Sequence, residues 1–101
     1  MQATIQTTVL RNLLTNEEFL RRVAPYLKKE YFEDDSRVVF DEITSFVGKY
    51  NKMPTKEALI IELNSKSISP EKFAAASHLI EEVSKPEPVD LDWLMTATEK
   101  W

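Results

Sequence analysis

No cysteine occurs in the 101-residue chain, which excludes disulfides and thiolate metal sites. That suits a reducing compartment, and a cytoplasmic location is expected. Only one glycine is present. Sheet proteins need glycine for tight turns, so its scarcity favours helices. No apolar run approaches the roughly 18 residues of a membrane helix, and no membrane partner is expected. Met1-Gln2-Ala3-Thr4-Ile5 lacks the basic start and apolar stretch of a signal peptide, so no leader is expected. Histidine is nearly absent too, His78 being the only one.

What remains is ordinary for one globular domain: 43% hydrophobic and 30% charged residues, too apolar and too balanced for a disordered chain. The net charge of −4 does not suit a domain whose main task is gripping phosphates. Its distribution is uneven. Residues 1–29 carry five basic and two acidic side chains, and residues 30–45 carry six acidic and one basic. Such asymmetry can orient a partner, and it can equally be a solvated surface.

Helical spacing of apolar residues accounts for most of the chain. Ile5, Val9, Leu10, Leu13 and Leu14 mark a first helix. Thr15, with Glu18 three residues on, reads as a capping box opening a second. Pro25 is expected to stop that helix near Val23 or Ala24. Tyr26, Leu27, Tyr31 and Phe32 then form an aromatic connector expected to pack on the core. Asp34-Asp35-Ser36 supplies cap chemistry for a third helix, with Val39, Phe40, Ile43, Phe46, Val47 and Tyr50 as its stripe. Gly48 falls near its end. Thr55 caps a fourth helix with Ala58, Leu59, Ile60 and Leu63 inside. Ser69-Pro70-Glu71 opens a fifth, with Phe73, Ala76, Ile80 and Val83 inward. Pro86 and Pro88 make a stiff link, and Asp90 caps a last helix from Leu91 to Trp101. The expected fold is all-α, a compact bundle of about six short helices. Phe40, Ile43, Phe46 and Leu59 are assigned to its core.

The last helix carries the interaction argument. Leu91, Leu94, Met95 and Thr98 share one face, while Trp93, Ala97 and Trp101 fall on the next. Together they span an arc of roughly 200°, wider than the roughly 100° stripe of a simple surface helix. Either the helix packs deeply in its own bundle or it also meets something else. Trp93, Leu94, Met95, Ala97 and Trp101 are the interface candidates, large aromatics being typical anchors. Trp101→Ala is expected to weaken self-association more than it lowers the melting temperature. A patterned helix at the chain's end also suggests a piece of a longer protein.

No catalytic constellation is found. His78 has Ala74, Ala75, Glu81 and Glu82 at helical spacing, a poor zinc set, and reads as a surface residue. Val47-Gly48-Lys49 lacks both the upstream glycine and the following Ser or Thr of a phosphate loop. Paired acids such as Asp41/Glu42 and Glu81/Glu82 are sequence neighbours, which diverge on a helix. No catalytic, cofactor-binding or metal-binding residue is therefore assigned. Arg21, Arg22, Lys28 and Lys29, interleaved with Tyr26 and Tyr31, are possible phosphate contacts. They support the alternative of a free-standing, helix-turn-helix-like nucleic-acid-binding domain.

Several segments together carry a resemblance: Val9-Leu10-x-x-Leu13-Leu14, Glu18-Phe19, Pro25-Tyr26-x-x-x-x-Tyr31-Phe32-Glu33, Phe40-x-x-Ile43, Tyr50-x-x-x-Pro54-Thr55-x-x-Ala58-Leu59-x-x-Glu62-Leu63, and Trp93-Leu94-x-x-x-Thr98-Glu99-Lys100-Trp101. In order and spacing the chain resembles the N-terminal domain of DnaB-like replicative DNA helicases, in particular the T4-type phage branch. The resemblance implies that residues 1–101 are one helical collar domain of a longer helicase, with residues 90–101 starting the helix towards the linker. It implies a homo-hexamer, primase docking at the replication fork, and DNA gripped mainly by a following motor domain. ATP and magnesium would belong to that motor and not to this domain. For a phage protein the location would be the host cytoplasm.

Overall fold

The computed structural model describes residues 4–101, so the first three residues of the amino-terminal reading lie outside it. It is all-helical: α1 (Ile5–Thr15), α2 (Glu17–Val23), α3 (Asp34–Tyr50), α4 (Lys56–Asn64), α5 (Pro70–Val83) and α6 (Leu91–Lys100). Two 3-10 turns, Ala24–Tyr26 and Lys29–Tyr31, connect α2 to α3. The described residues contain no strand. α1 and α3 form the centre. α1 packs on α2, α3, α5 and α6, and α3 packs on α4, α5 and the second 3-10 turn. The radius of gyration, 12.7 Å, is that of a compact chain of this length.

Helix starts follow cap chemistry, though not always at the residue expected. Thr55, Ser69 and Asp90 each accept a hydrogen bond from the backbone N–H three residues on, as their sequences imply. Thr15 does not cap α2. It is the last residue of α1, and its hydroxyl donates back to the Arg11 carbonyl at 2.8 Å. The neighbouring Asn16 has the extended backbone a cap requires, and its side chain accepts from the Phe19 N–H at 3.1 Å. The reciprocal capping box lies at α1 instead. Thr4 Oγ1 accepts from the Thr7 N–H at 3.1 Å, and Thr7 Oγ1 accepts from the Thr4 N–H at 3.0 Å. Thr4→Ala is expected to cost about 1 kcal/mol, and Thr15→Ala under about 0.5 kcal/mol. Urea melts of the two variants check the pair.

Of three further expectations the backbone corrects one. α2 ends at Val23, where Pro25 is expected to stop it, although Ala24 keeps helical angles of φ −52° and ψ −41°. The helix tightens into a 3-10 turn, where a missing N–H is tolerated. Asp34 and Asp35 are not caps: α3 has no side-chain cap bond, and the two carboxylates sit in its first turn, where the helix dipole favours them. Asp34 adopts φ 47°, a left-handed conformation that a short polar side chain tolerates. Gly48 lies in the last turn of α3, near its end as expected. The left-handed closing residue of α3 is Asn51, at φ 51°, whose N–H reaches the Val47 carbonyl at 2.9 Å.

The core comprises Val9, Leu10 and Leu13 of α1, Phe19, Leu20 and Val23 of α2, Val39, Phe40 and Ile43 of α3, Leu59 and Leu63 of α4, Ala76, Leu79, Ile80 and Val83 of α5, Leu94 of α6, and Phe32 from the connector. Phe40, Ile43 and Leu59 are where the sequence places them. Phe46 is only partly buried, leaning on Tyr50 at 4.7 Å between ring centroids, and Tyr50 is exposed. The connector divides. Phe32 is fully buried and Leu27 half-buried, while Tyr26 and Tyr31 are exposed.

One charged residue joins the core. Glu42 of α3 is 3% exposed, and its carboxylate pairs with the Lys66 ammonium. The tight turn after α4 places that lysine: the N–H groups of Ser65 and Lys66 bond the carbonyls of Glu62 and Leu63 at 3.2 and 3.1 Å. The bond to Glu42 raises the Lys66 pKa above its ordinary value, with Asp41 and Glu62 adding to it and burial opposing it.

Candidate protein-interaction surface

Three exposed aromatic side chains, Tyr26, Tyr31 and Trp93, gather along α6. Asp90 fixes its start by accepting from the Trp93 N–H at 3.0 Å. Leu94, fully buried, anchors the helix against α1. At the far end the Trp101 N–H bonds the Ala97 carbonyl at 3.1 Å. The Trp101 ring stands edge-on to Phe32 at 4.9 Å and to Tyr31 at 6.0 Å.

Two grooves flank this helix. On one side Trp93, Ala97, Lys100 and Trp101 face Thr4, Ile5 and Thr8 of α1. Trp93 is 57% exposed, a large apolar surface left in water. On the other side Met95, Thr98 and Trp101 face Val23, Tyr26, Leu27 and Tyr31 across a cleft of about 400 Å³. Of the five interface candidates, Trp93 and Ala97 thus line the first groove and Met95 the second, with Trp101 bordering both. Leu94 lines neither and is a core residue, because α6 turns it directly onto α1. Trp101 is half-buried, so its removal would disturb packing on Phe32 as well as any contact it makes outside the chain.

The candidate phosphate contacts are not gathered into one free set. Arg21 pairs with Glu17 at 3.0 Å and Arg22 with Glu18 at 3.1 Å, each one helical turn apart. Lys28 and Lys29 are exposed in the connector. His78 lies exposed on α5, bordering a shallow cleft with Glu33, Asp34 and Asp35. Among the described residues no group of three or more His, Cys, Asp or Glu is placed to hold a metal ion, and no helix is long and apolar enough to cross a membrane.

Two features escaped the sequence reading. Glu42 lies three residues after Val39 and four before Phe46, so its inward position was available from the spacing. The other is a trough beside Gly48, bounded by Leu20, Ala24, Pro25, Thr44 and Val47. It lies where the end of α2 and the first 3-10 turn face α3, and no local pattern signals it.

Compared with known proteins, the chain is 30% identical over 94 residues to a DnaB-like replicative helicase of Enterobacteria phage T4. The match covers 92% of this chain and 20% of that protein, so the chain spans about a fifth of its relative's length. No protein-family model matches.

Proposed function

We propose that this chain is the N-terminal, non-catalytic collar domain of a DnaB-like replicative DNA helicase, joining subunits of a hexameric ring and docking primase. The observation that carries this is the similarity to the phage helicase, which runs through almost the whole chain and not through an isolated motif. The grooves along α6 support it, because Trp93 is a large apolar side chain left more than half exposed by its own domain. On this reading the chemistry, with its ATP and magnesium, belongs to a motor domain elsewhere in the same protein. DNA is gripped mainly there, as the acidic balance of this chain suits.

Sedimentation of the chain over a wide concentration range, with a pull-down of the cognate primase, tests the proposal. Self-association and primase capture are expected. A strict monomer with no primase affinity would overturn it, and salt-dependent DNA binding by such a monomer would favour the nucleic-acid-binding alternative. Trp93→Ala is the sharper probe of the assembly face than Trp101→Ala. It is expected to weaken self-association by about 2 kcal/mol, roughly thirtyfold. Its exposed site should leave the melting temperature within a few degrees of the parent.

A further inference from the structure

The trough beside Gly48 shares no lining residue with the two α6 grooves. Gly48 is the only glycine of the chain. Its φ is not positive, and a Cβ built there would meet nothing within 4 Å. Nothing in the folded chain therefore requires a glycine at this position in the last turn of α3. A remaining reason for glycine is the close approach of something from outside. The trough is about 350 Å³, and Leu20, Ala24, Pro25 and Val47 give it an apolar floor. The charged residues lining it are Arg21, already paired with Glu17 at 3.0 Å, and Lys52. Lys49 is exposed one residue beyond Gly48. Among the described residues neither Lys49 nor Lys52 has a carboxylate at ion-pair distance. In a chain of net charge −4, this is a locally basic rim around an apolar trough.

We infer that this trough docks an amphipathic helix of a partner protein, whose small or aliphatic stripe is flanked by Asp or Glu. The bare backbone at Gly48 lets that helix approach closely, its stripe covers Ala24 and Val47, and its carboxylates meet Lys52 and the neighbouring Lys49. This is the helix-in-groove mode of recognition. A second copy of this chain is a poorer match: the exposed stripe of α6, Trp93–Ala97–Lys100, is bulky at one end and cationic at the other.

The test uses two synthetic Ala/Leu amphipathic helical peptides of about 18 residues, one flanked by Glu and one by Lys, titrated into the chain at low salt. The Glu-flanked peptide is expected to bind and to shift the amide signals of Ala24, Val47 and Gly48. The Lys-flanked peptide should bind at least roughly tenfold more weakly. Gly48→Leu fills the trough, and is expected to cut binding of the acidic peptide by roughly tenfold or more while melting no lower than the parent. Lys52→Gln should weaken the same peptide without altering the melt. Absence of binding, equal affinity for the two peptides, or undiminished binding to folded Gly48→Leu would each overturn the inference. So would loss of the chain's own self-association in Gly48→Leu, which would assign the trough to a second copy.

Discussion

Phe32→Ala is expected to destabilise the fold by about 3–5 kcal/mol, the largest loss from any single connector residue. The side chain is fully buried although it belongs to no helix. Its ring stacks on Phe40 at 4.5 Å and 20°, and meets the edge of Trp101 at 4.9 Å. One side chain therefore ties the connector to the middle of α3 and to the end of α6. Alanine would leave a cavity between parts of the chain that cannot collapse together, since Phe40 is fixed by α3. For a domain of this size each kcal/mol moves the melting temperature by about 4–8 °C, so a fall of roughly 15–30 °C is expected. Trp101 loses its packing partner at the same time, so its fluorescence should shift towards that of a solvated indole in molecules still folded. Tyr26→Ala, in the same connector but 78% exposed, should change stability by less than about 0.5 kcal/mol. Equal losses from the two variants would show that the connector's inside and outside are wrongly assigned.

The contrast between Phe32 and its tyrosine neighbours marks where sequence reading stops. Inside helices the 3.6-residue period tells which residues turn inward, and Val39, Phe40, Ile43, Leu59, Ala76, Ile80 and Val83 are all legible that way. A connector has no period, and nothing in Tyr26-Leu27 or Tyr31-Phe32 says which ring is covered. Caps were legible where one candidate stood alone, as at Thr55, Ser69 and Asp90. At Thr15-Asn16 two good caps adjoin, and the choice went to the residue with the extended backbone. The Thr4–Thr7 box was missed because its second member is a threonine rather than the usual Glu or Gln. The wide arc of α6 was legible, but its division was not. Only the direction in which α6 lies on α1 puts Leu94 inside and leaves Trp93 in water.

Lys66→Met is expected to be the costliest substitution of an exposed-looking side chain. Glu42 is almost wholly buried, and among the described residues its carboxylate has one ion-pair partner. Removing the ammonium leaves a charge in the core without its counter-ion, a change worth roughly 3–5 kcal/mol for a fully enclosed pair. Here the lysine side is 44% exposed, so water supplies part of what is lost and a cost of roughly 2–3 kcal/mol is expected. The second half of the cycle separates this from mere loss of packing. Glu42→Leu in the Lys66→Met background should recover most of the stability, because a buried aliphatic needs no partner. Failure to recover would show that Lys66 acts through the α4–α5 turn rather than through Glu42. The pH dependence gives an independent check. The folded-state pKa of Lys66 lies above its ordinary value of 10.5, chiefly through the bond to Glu42. The folded state therefore holds that proton more tightly than the unfolded chain. The pair's contribution is complete below about pH 10.5 and is lost as pH climbs through the raised value. Other lysines and the tyrosines titrate in the same range, so the informative quantity is the gap between parent and Lys66→Met in urea melts. It should stay constant from neutral pH to about 10 and narrow above that.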